Sequence, residues 1–192
     1  MTANHLSSNV AWVAIATGII DLFGIAFIIL FFTVGEPFGT VNDICNGLTA
    51  IATAVLAWMI YSELRTQSPL VLVVAIVGAI VAVIGSVLVI FGITGWYLAG
   101  LYTSAGFALI GVWFVSLNYS AQQSNTLPQN LVVFGMIVGA IMVIGLFALP
   151  GIISRIDTME NAPWHTYVAL TSGLGYLILY PFWCIFLGRT LL

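Results

Sequence analysis

Residues 69–94, PLVLVVAIVGAIVAVIGSVLVIFGIT, form an apolar stretch without a single charged side chain. A helix needs roughly 20 apolar residues to cross a bilayer, so this stretch predicts a transmembrane helix. Five further stretches are predominantly apolar and of similar length, at about 9–34, 43–64, 96–119, 130–152 and 163–188. With 62% hydrophobic and 5% charged residues, the chain has too little polar surface for a soluble globule. We therefore predict an all-α polytopic membrane protein, with six transmembrane helices in a single membrane domain covering residues 1–192.

The tryptophans lie near the ends of these apolar stretches, at Trp12, Trp58, Trp96, Trp113, Trp164 and Trp183. An indole ring has an apolar body and a polar N–H, so it settles at the level of the lipid headgroups. The positions therefore predict an aromatic belt at the membrane surface.

Orientation depends on three arginines, because the chain contains no lysine. Six spans place Arg65 and Arg189 on one side of the membrane and Arg155 on the other. Cytoplasmic loops carry an excess of basic residues, so both termini are predicted to be cytoplasmic. The first apolar stretch is too long for a signal peptide and predicts a retained helix. The net charge of −3 argues against nucleic acid as a partner.

Two patterns suggest an internal repeat of three tandem helical hairpins, each about 60 residues long. The first, third and fifth helices carry paired glycines: Gly18 and Gly24, Gly78 and Gly85, Gly139 and Gly145. The second, fourth and sixth helices carry a tryptophan near one end, at Trp58, Trp113 and Trp183. Stripes of small residues mark helix contacts in lipid, and the stripe at Gly135 and Gly139 leaves two alternatives, packing within the bundle or self-association.

Asp21 lies near the middle of the first span, where an ionised carboxylate costs about 2.5 kcal/mol or more. Thr17 lies one turn away on the same helix face. Without a basic residue inside any span, three states remain open for Asp21: protonated, hydrogen-bonded to hydroxyls on other helices, or ionised around a bound cation. The candidate hydroxyls are those of Tyr102, Thr103, Ser104, Thr171 and Ser172. Asp21, Thr17, Tyr102 and Ser104 form the candidate proton, cation or ligand site.

A second polar group is predicted on the outer side of the membrane, formed by Asp43, Asn46 and His165. The pattern from Thr40 to Asp43 predicts a capping box that opens the second helix. Glu36, Asp157 and Glu160 join Asp43 in an acidic outer rim, read either as solvated caps or as a cation-collecting mouth. Further along, Asn161 is predicted to cap the sixth helix and Pro181 to kink it, and Cys45 and Cys184 are predicted to be unpaired.

No catalytic, cofactor or metal-binding motif of high specificity is present, so the sequence predicts no enzyme, cofactor or metal. Two functions remain. The first is an accessory or structural subunit that associates with other membrane proteins or with apolar ligands. The alternative is a small proton- or cation-coupled transporter or channel that uses Asp21.

Overall fold

A computed structural model describes residues 6–64 and 68–192, so Arg65 lies outside the described residues. The described chain is helical throughout and contains no strand. Six helices are long and apolar enough to cross a membrane, which confirms the predicted fold class. They are α1 (Ser8–Val34), α2 (Phe38–Leu64), α3 (Pro69–Ile90), α4 (Trp96–Ser124), α5 (Gln129–Ile153) and α6 (Trp164–Leu191).

The six helices define two ends of the bundle. We call the end with the connections 35–37, 91–95 and 154–163 the hairpin end, and the opposite end, where α1 begins and α6 finishes, the terminal end. The helices follow one another around the bundle, and α6 closes it by packing against α1. The most buried helix is α4, which therefore forms the centre of the packing.

The predicted start of α2 is wrong, because the helix begins at Phe38 rather than at residue 43. Thr40 lies inside the first turn, so the predicted capping box does not open the helix. Pro37 precedes the helix, and its carbonyl accepts a hydrogen bond from the Val41 N–H at 3.2 Å. The Glu36 carboxylate accepts bonds from the Thr40 N–H at 3.3 Å and the Thr40 hydroxyl at 3.2 Å, and so caps the helix instead.

Helices α5 and α6 are irregular near their prolines. A 3₁₀ segment at Ile144–Ala148 precedes Pro150, and a π-helical segment at Leu174–Leu179 precedes Pro181. A proline ring crowds the preceding turn and removes a backbone donor, so the turn before it is distorted. Pro181 is predicted to kink the sixth helix, and the structure has a π-helical segment directly before it. Asn161 does not cap α6, because Pro163 occupies the capping position and Asn161 has a left-handed φ of 61°.

Close helix contacts depend on glycines that face neighbouring backbones. A Cβ added at Gly78 would lie 2.6 Å from the Gly106 carbonyl oxygen, and one added at Gly18 would lie 2.6 Å from the Pro181 carbonyl oxygen. The stripe at Gly135 and Gly139 faces α4 as well: a Cβ at Gly135 would collide with the Asn118 side chain, and one at Gly139 would lie 3.0 Å from the Val115 backbone nitrogen. This stripe is therefore used for packing within the bundle.

The terminal half of the bundle contains a compact aromatic core. Trp113 and Trp183 are fully buried, and the rings of Phe114 and Trp183 meet edge to face with centroids 4.4 Å apart. The Trp183 indole N–H donates to the Leu131 carbonyl at 3.0 Å. The aromatic belt is therefore wrong for these two tryptophans, because their rings fill space between helices. The remaining four are exposed: Trp12 and Trp58 near the terminal end, and Trp96 and Trp164 near the hairpin end.

Candidate functional site

Asp21 points into the bundle, as predicted, with only 1% of its surface exposed. It shares its helix face with Gly18 and Gly24, three residues away on either side. Gly18 lies against α6, and a Cβ added at Gly24 would lie 3.3 Å from the Cβ of Cys45 on α2. Asp21 therefore lies at the junction of α1, α2 and α6.

Neither carboxyl oxygen of Asp21 has a hydrogen-bond partner among the described residues. Thr17, on the same face, donates to the Val13 carbonyl at 2.8 Å. The Ser104 hydroxyl is buried without a partner, and Tyr102 packs against a separate apolar cluster around Leu101. The structure thus does not bring Tyr102 or Ser104 into hydrogen-bonding contact with Asp21. The remaining candidate hydroxyls, on Thr103, Thr171 and Ser172, donate to carbonyls of their own helices.

Two asparagines of α2 have unpartnered oxygens beside Gly24, which lies one helical turn from Asp21. A Cβ added at Gly24 would lie 3.7 Å from Asn42 Oδ1 and 3.9 Å from Asn46 Oδ1. Asn42 and Asn46 are 7% and 8% exposed, and neither Oδ1 atom has a partner in the described chain. We call the two carboxyl oxygens of Asp21 and these two amide oxygens the oxygen cluster. Each buried acceptor without a partner costs about 1–3 kcal/mol, so these oxygens call for a physical explanation.

A cavity of about 440 Å³ leads from the hairpin end towards the oxygen cluster. Asn42 and Asn46 line its deep part together with Thr103 of α4 and Tyr176 of the π-helical segment. The carboxyl side chains of Glu36 and Asp43 line the part nearer the surface, where Trp96 is also exposed. The cavity thus extends from the acidic residues Glu36 and Asp43 to the buried asparagines Asn42 and Asn46.

The aromatic core closes the bundle beyond the oxygen cluster. Tyr180 is fully buried, its hydroxyl lies 2.9 Å from the Thr53 hydroxyl, and its ring meets that of Phe114 edge to face. Trp113 and Trp183 follow towards the terminal end and are fully buried as well. The cavity is therefore accessible from the hairpin end and blocked towards the terminal end.

The structure separates the predicted outer polar group. Asp43 and Asn46 line the cavity, whereas His165 does not, because the start of α6 packs against the 3₁₀ segment of α5. His165 Nδ1 lies 3.2 Å from the Phe147 carbonyl oxygen. In the acidic rim, Asp157 caps α4 by accepting from the Gly95 N–H at 2.7 Å and the Leu98 N–H at 3.2 Å. Glu36 and Asp43 are thus the rim acids that line the cavity.

From the sequence, Asn42 belongs with Asp43 and Asn46 to a polar cluster at the predicted start of α2, which is more typical of a helix cap than of a cation site. The signal for a buried role is a stripe of polar residues along the apolar helix α2, spaced by four, three and four positions: Asn42, Asn46, Thr49 and Thr53. Residues with this spacing share one helix face, and all four are buried. A stripe of this kind indicates that one face of the helix points into a polar interior of the bundle. A single polar residue is a weaker indication.

No known family, curated protein or solved structure matches this chain. The described residues also contain no group of three or more His, Cys, Asp and Glu side chains arranged to hold a metal ion. The cysteines Cys45 and Cys184 are buried and free, as predicted. The cavity and the oxygen cluster are therefore the features from which a function is argued.

Proposed function

We propose that this chain is a multi-pass membrane protein that acts as a small proton- or cation-coupled transporter, with Asp21 as the coupling group. The observation that carries the proposal is the buried, unpartnered carboxyl group of Asp21, one helical turn from the position where Asn42 and Asn46 line the cavity. Ionisable groups inside a membrane segment typically mark ion or substrate pathways, because their burial is costly without a function.

Transport requires the closed end to open, and two features support this step. Tyr176 and Leu177 line the cavity and belong to the π-helical segment of α6. Such segments occur frequently at functional sites and allow a helix to bend. Bending α6 there would move Tyr180 and Trp183, which close the bundle towards the terminal end. We therefore propose α6 as the moving element.

The accessory-subunit alternative makes a different prediction. A subunit of a larger assembly would copurify with a stoichiometric partner and would need no ion movement. The stripe at Gly135 and Gly139, which could have served self-association, is already occupied by α4. This packing argues against self-association through α5.

Blocking the cavity should abolish ion movement without disturbing the fold. A Cβ added at Gly100, which lines the cavity, would meet no heavy atom within 4 Å, so a larger side chain at this position enters the cavity. We expect Gly100→Trp to lower proton or cation flux in proteoliposomes, under imposed pH, Na⁺ and K⁺ gradients, to the rate of protein-free liposomes. Val112→Trp, on the partly exposed face of the same helix, is the matched control and should retain wild-type flux. Equal flux in wild type, Gly100→Trp and protein-free liposomes would refute the proposal.

We also propose that both termini are cytoplasmic, which places the cavity opening on the outer side. Ser124 and Glu160 are exposed and lie at opposite ends of the bundle. In a Cys45→Ala/Cys184→Ala background, Ser124→Cys should react with an impermeant thiol reagent only from the cytoplasmic side, and Glu160→Cys only from the outer side. Labelling of both from one side would contradict six spans, and reversed labelling would contradict the orientation.

The tandem repeat remains part of the proposal as three hairpins with a common ancestry. Its repeated tryptophans occupy different environments, since Trp58 is 59% exposed whereas Trp113 and Trp183 are fully buried. Repeat positions therefore serve different purposes in the three hairpins.

A further inference from the structure

We infer that the cavity binds a lipophilic organic cation with an aromatic body, such as an aromatic amine or a quaternary ammonium compound. The inference rests on the proposed function, because it takes the cavity to be a solute site. A volume of about 440 Å³ lies within the range of small-molecule pockets, about 300–1,000 Å³. It is large enough for a ring system and too large for a bare inorganic ion.

The charges along the cavity select a cation. Glu36 and Asp43 contribute carboxyl groups, and no Arg, Lys or His is among the described residues that line it. At the deep end, the amide oxygens of Asn42 and Asn46 are buried and lack donors. An anion would face carboxylates without a compensating positive charge, so it would be excluded.

The residues that line the cavity favour a ligand with an apolar, aromatic body. The lining includes the rings of Phe31, Phe32, Trp96 and Tyr176, together with aliphatic side chains from α1, α3 and α6. The Tyr176 ring is held in place, because it stacks on Phe107 with centroids 4.5 Å apart and nearly parallel planes. Aromatic faces attract ammonium groups, most strongly where water is excluded, and they also pack against other rings. An aromatic cation matches both the aromatic lining residues and the carboxyl groups of Glu36 and Asp43.

The depth of the cavity places the positive charge near Asp21. Asn42 Oδ1 and Asn46 Oδ1 lie beside Gly24, one helical turn from Asp21. Ionised Asp21 would attract a substrate charge near the two asparagines, and a proton or cation bound at Asp21 would cancel that attraction. The substrate and the proton or cation would therefore each weaken binding of the other, which is the reciprocal coupling that exchange of a substrate for an ion requires.

Binding of benzyltrimethylammonium to the full-length protein in lipid nanodiscs tests the inference. Calorimetry should show saturable binding that is about tenfold or more tighter than binding of neopentylbenzene, its uncharged isostere. The anion 3-phenylpropionate should not bind. Asp43→Asn should weaken cation binding about threefold to tenfold, Gly100→Trp should abolish it, and Val112→Trp should leave it unchanged. Circular dichroism and the elution volume confirm that each variant is folded.

Equal affinity for the cation and its uncharged isostere, binding of the anion, or full affinity in Gly100→Trp would overturn the inference. The flux experiment separates this failure from failure of the proposed function. If Gly100→Trp blocks flux but the cation does not bind, the transporter proposal stands and the substrate class is wrong. If the cation binds in the cavity but wild-type flux equals that of protein-free liposomes, the substrate class is supported and coupled transport is wrong.

Discussion

Asp21→Asn will abolish coupled flux and at the same time make the protein more stable. The amide cannot carry an exchangeable proton or neutralise a cation, so flux should fall to the rate of protein-free liposomes. The amide also supplies N–H donors one helical turn from Gly24, where Asn42 Oδ1 and Asn46 Oδ1 have no donor in the wild type. One such bond contributes about 1 kcal/mol, and we expect a higher midpoint of thermal unfolding in detergent. Stability gained at the expense of activity is typical of functional sites.

Asp43→Asn serves as the matched control, because it makes the same chemical change at the cavity lining outside the oxygen cluster. It should leave the unfolding midpoint near that of wild type. One of the three states that the sequence left open for Asp21 is a hydrogen bond to hydroxyls on other helices, and in that state Asp21→Leu would destabilise the bundle. Asp21 has no such bonds in the described structure, so that loss is no longer expected. Retained flux or a lowered unfolding midpoint in Asp21→Asn would contradict the role assigned to Asp21.

Gly106→Ala will destabilise the bundle strongly, whereas Gly100→Ala on the same helix will stabilise it slightly. A Cβ at Gly106 would collide with the backbone nitrogen of Ala82 and lie 2.6 Å from the Gly78 carbonyl oxygen, so α3 and α4 would have to separate. Overpacking of this kind costs about 1–3 kcal/mol. A Cβ at Gly100 meets no heavy atom within 4 Å, and alanine is favoured over glycine in a helix by about 1 kcal/mol.

Thermal unfolding of the two variants in the same detergent measures this difference directly. The unfolding midpoint of Gly106→Ala should fall below that of wild type and the midpoint of Gly100→Ala should lie at or above it. Similar midpoints for the two variants would show that α3 and α4 do not pack as closely as described.

Several residues of the site could be predicted from the sequence, because the cost of burying a polar or charged side chain in a membrane segment is similar in any fold. Asp21 had to face inward, since a carboxyl group in contact with lipid is costly. Asp43 and Asn46 were predicted as members of a polar group because they are polar residues near a helix start, and both line the cavity. Tyr102 and His165 were predicted as site residues from the chemistry of their side chains alone. In the structure, Tyr102 packs against the apolar cluster around Leu101 and His165 contacts the Phe147 carbonyl.

The sequence by itself determined the number of helices and their approximate bounds, because the length of an apolar stretch and the cost of a charge in lipid are local properties. Only the tertiary structure decided which faces meet. It buried Trp113 and Trp183 while leaving Trp58 exposed, and it turned Asn42 towards Gly24. These outcomes depend on contacts between residues far apart in the chain. Hydropathy and residue spacing describe neighbouring residues and therefore do not predict such contacts. The cavity lies between five helices, so its position and size depend on how those helices pack and no single segment of the sequence predicts it.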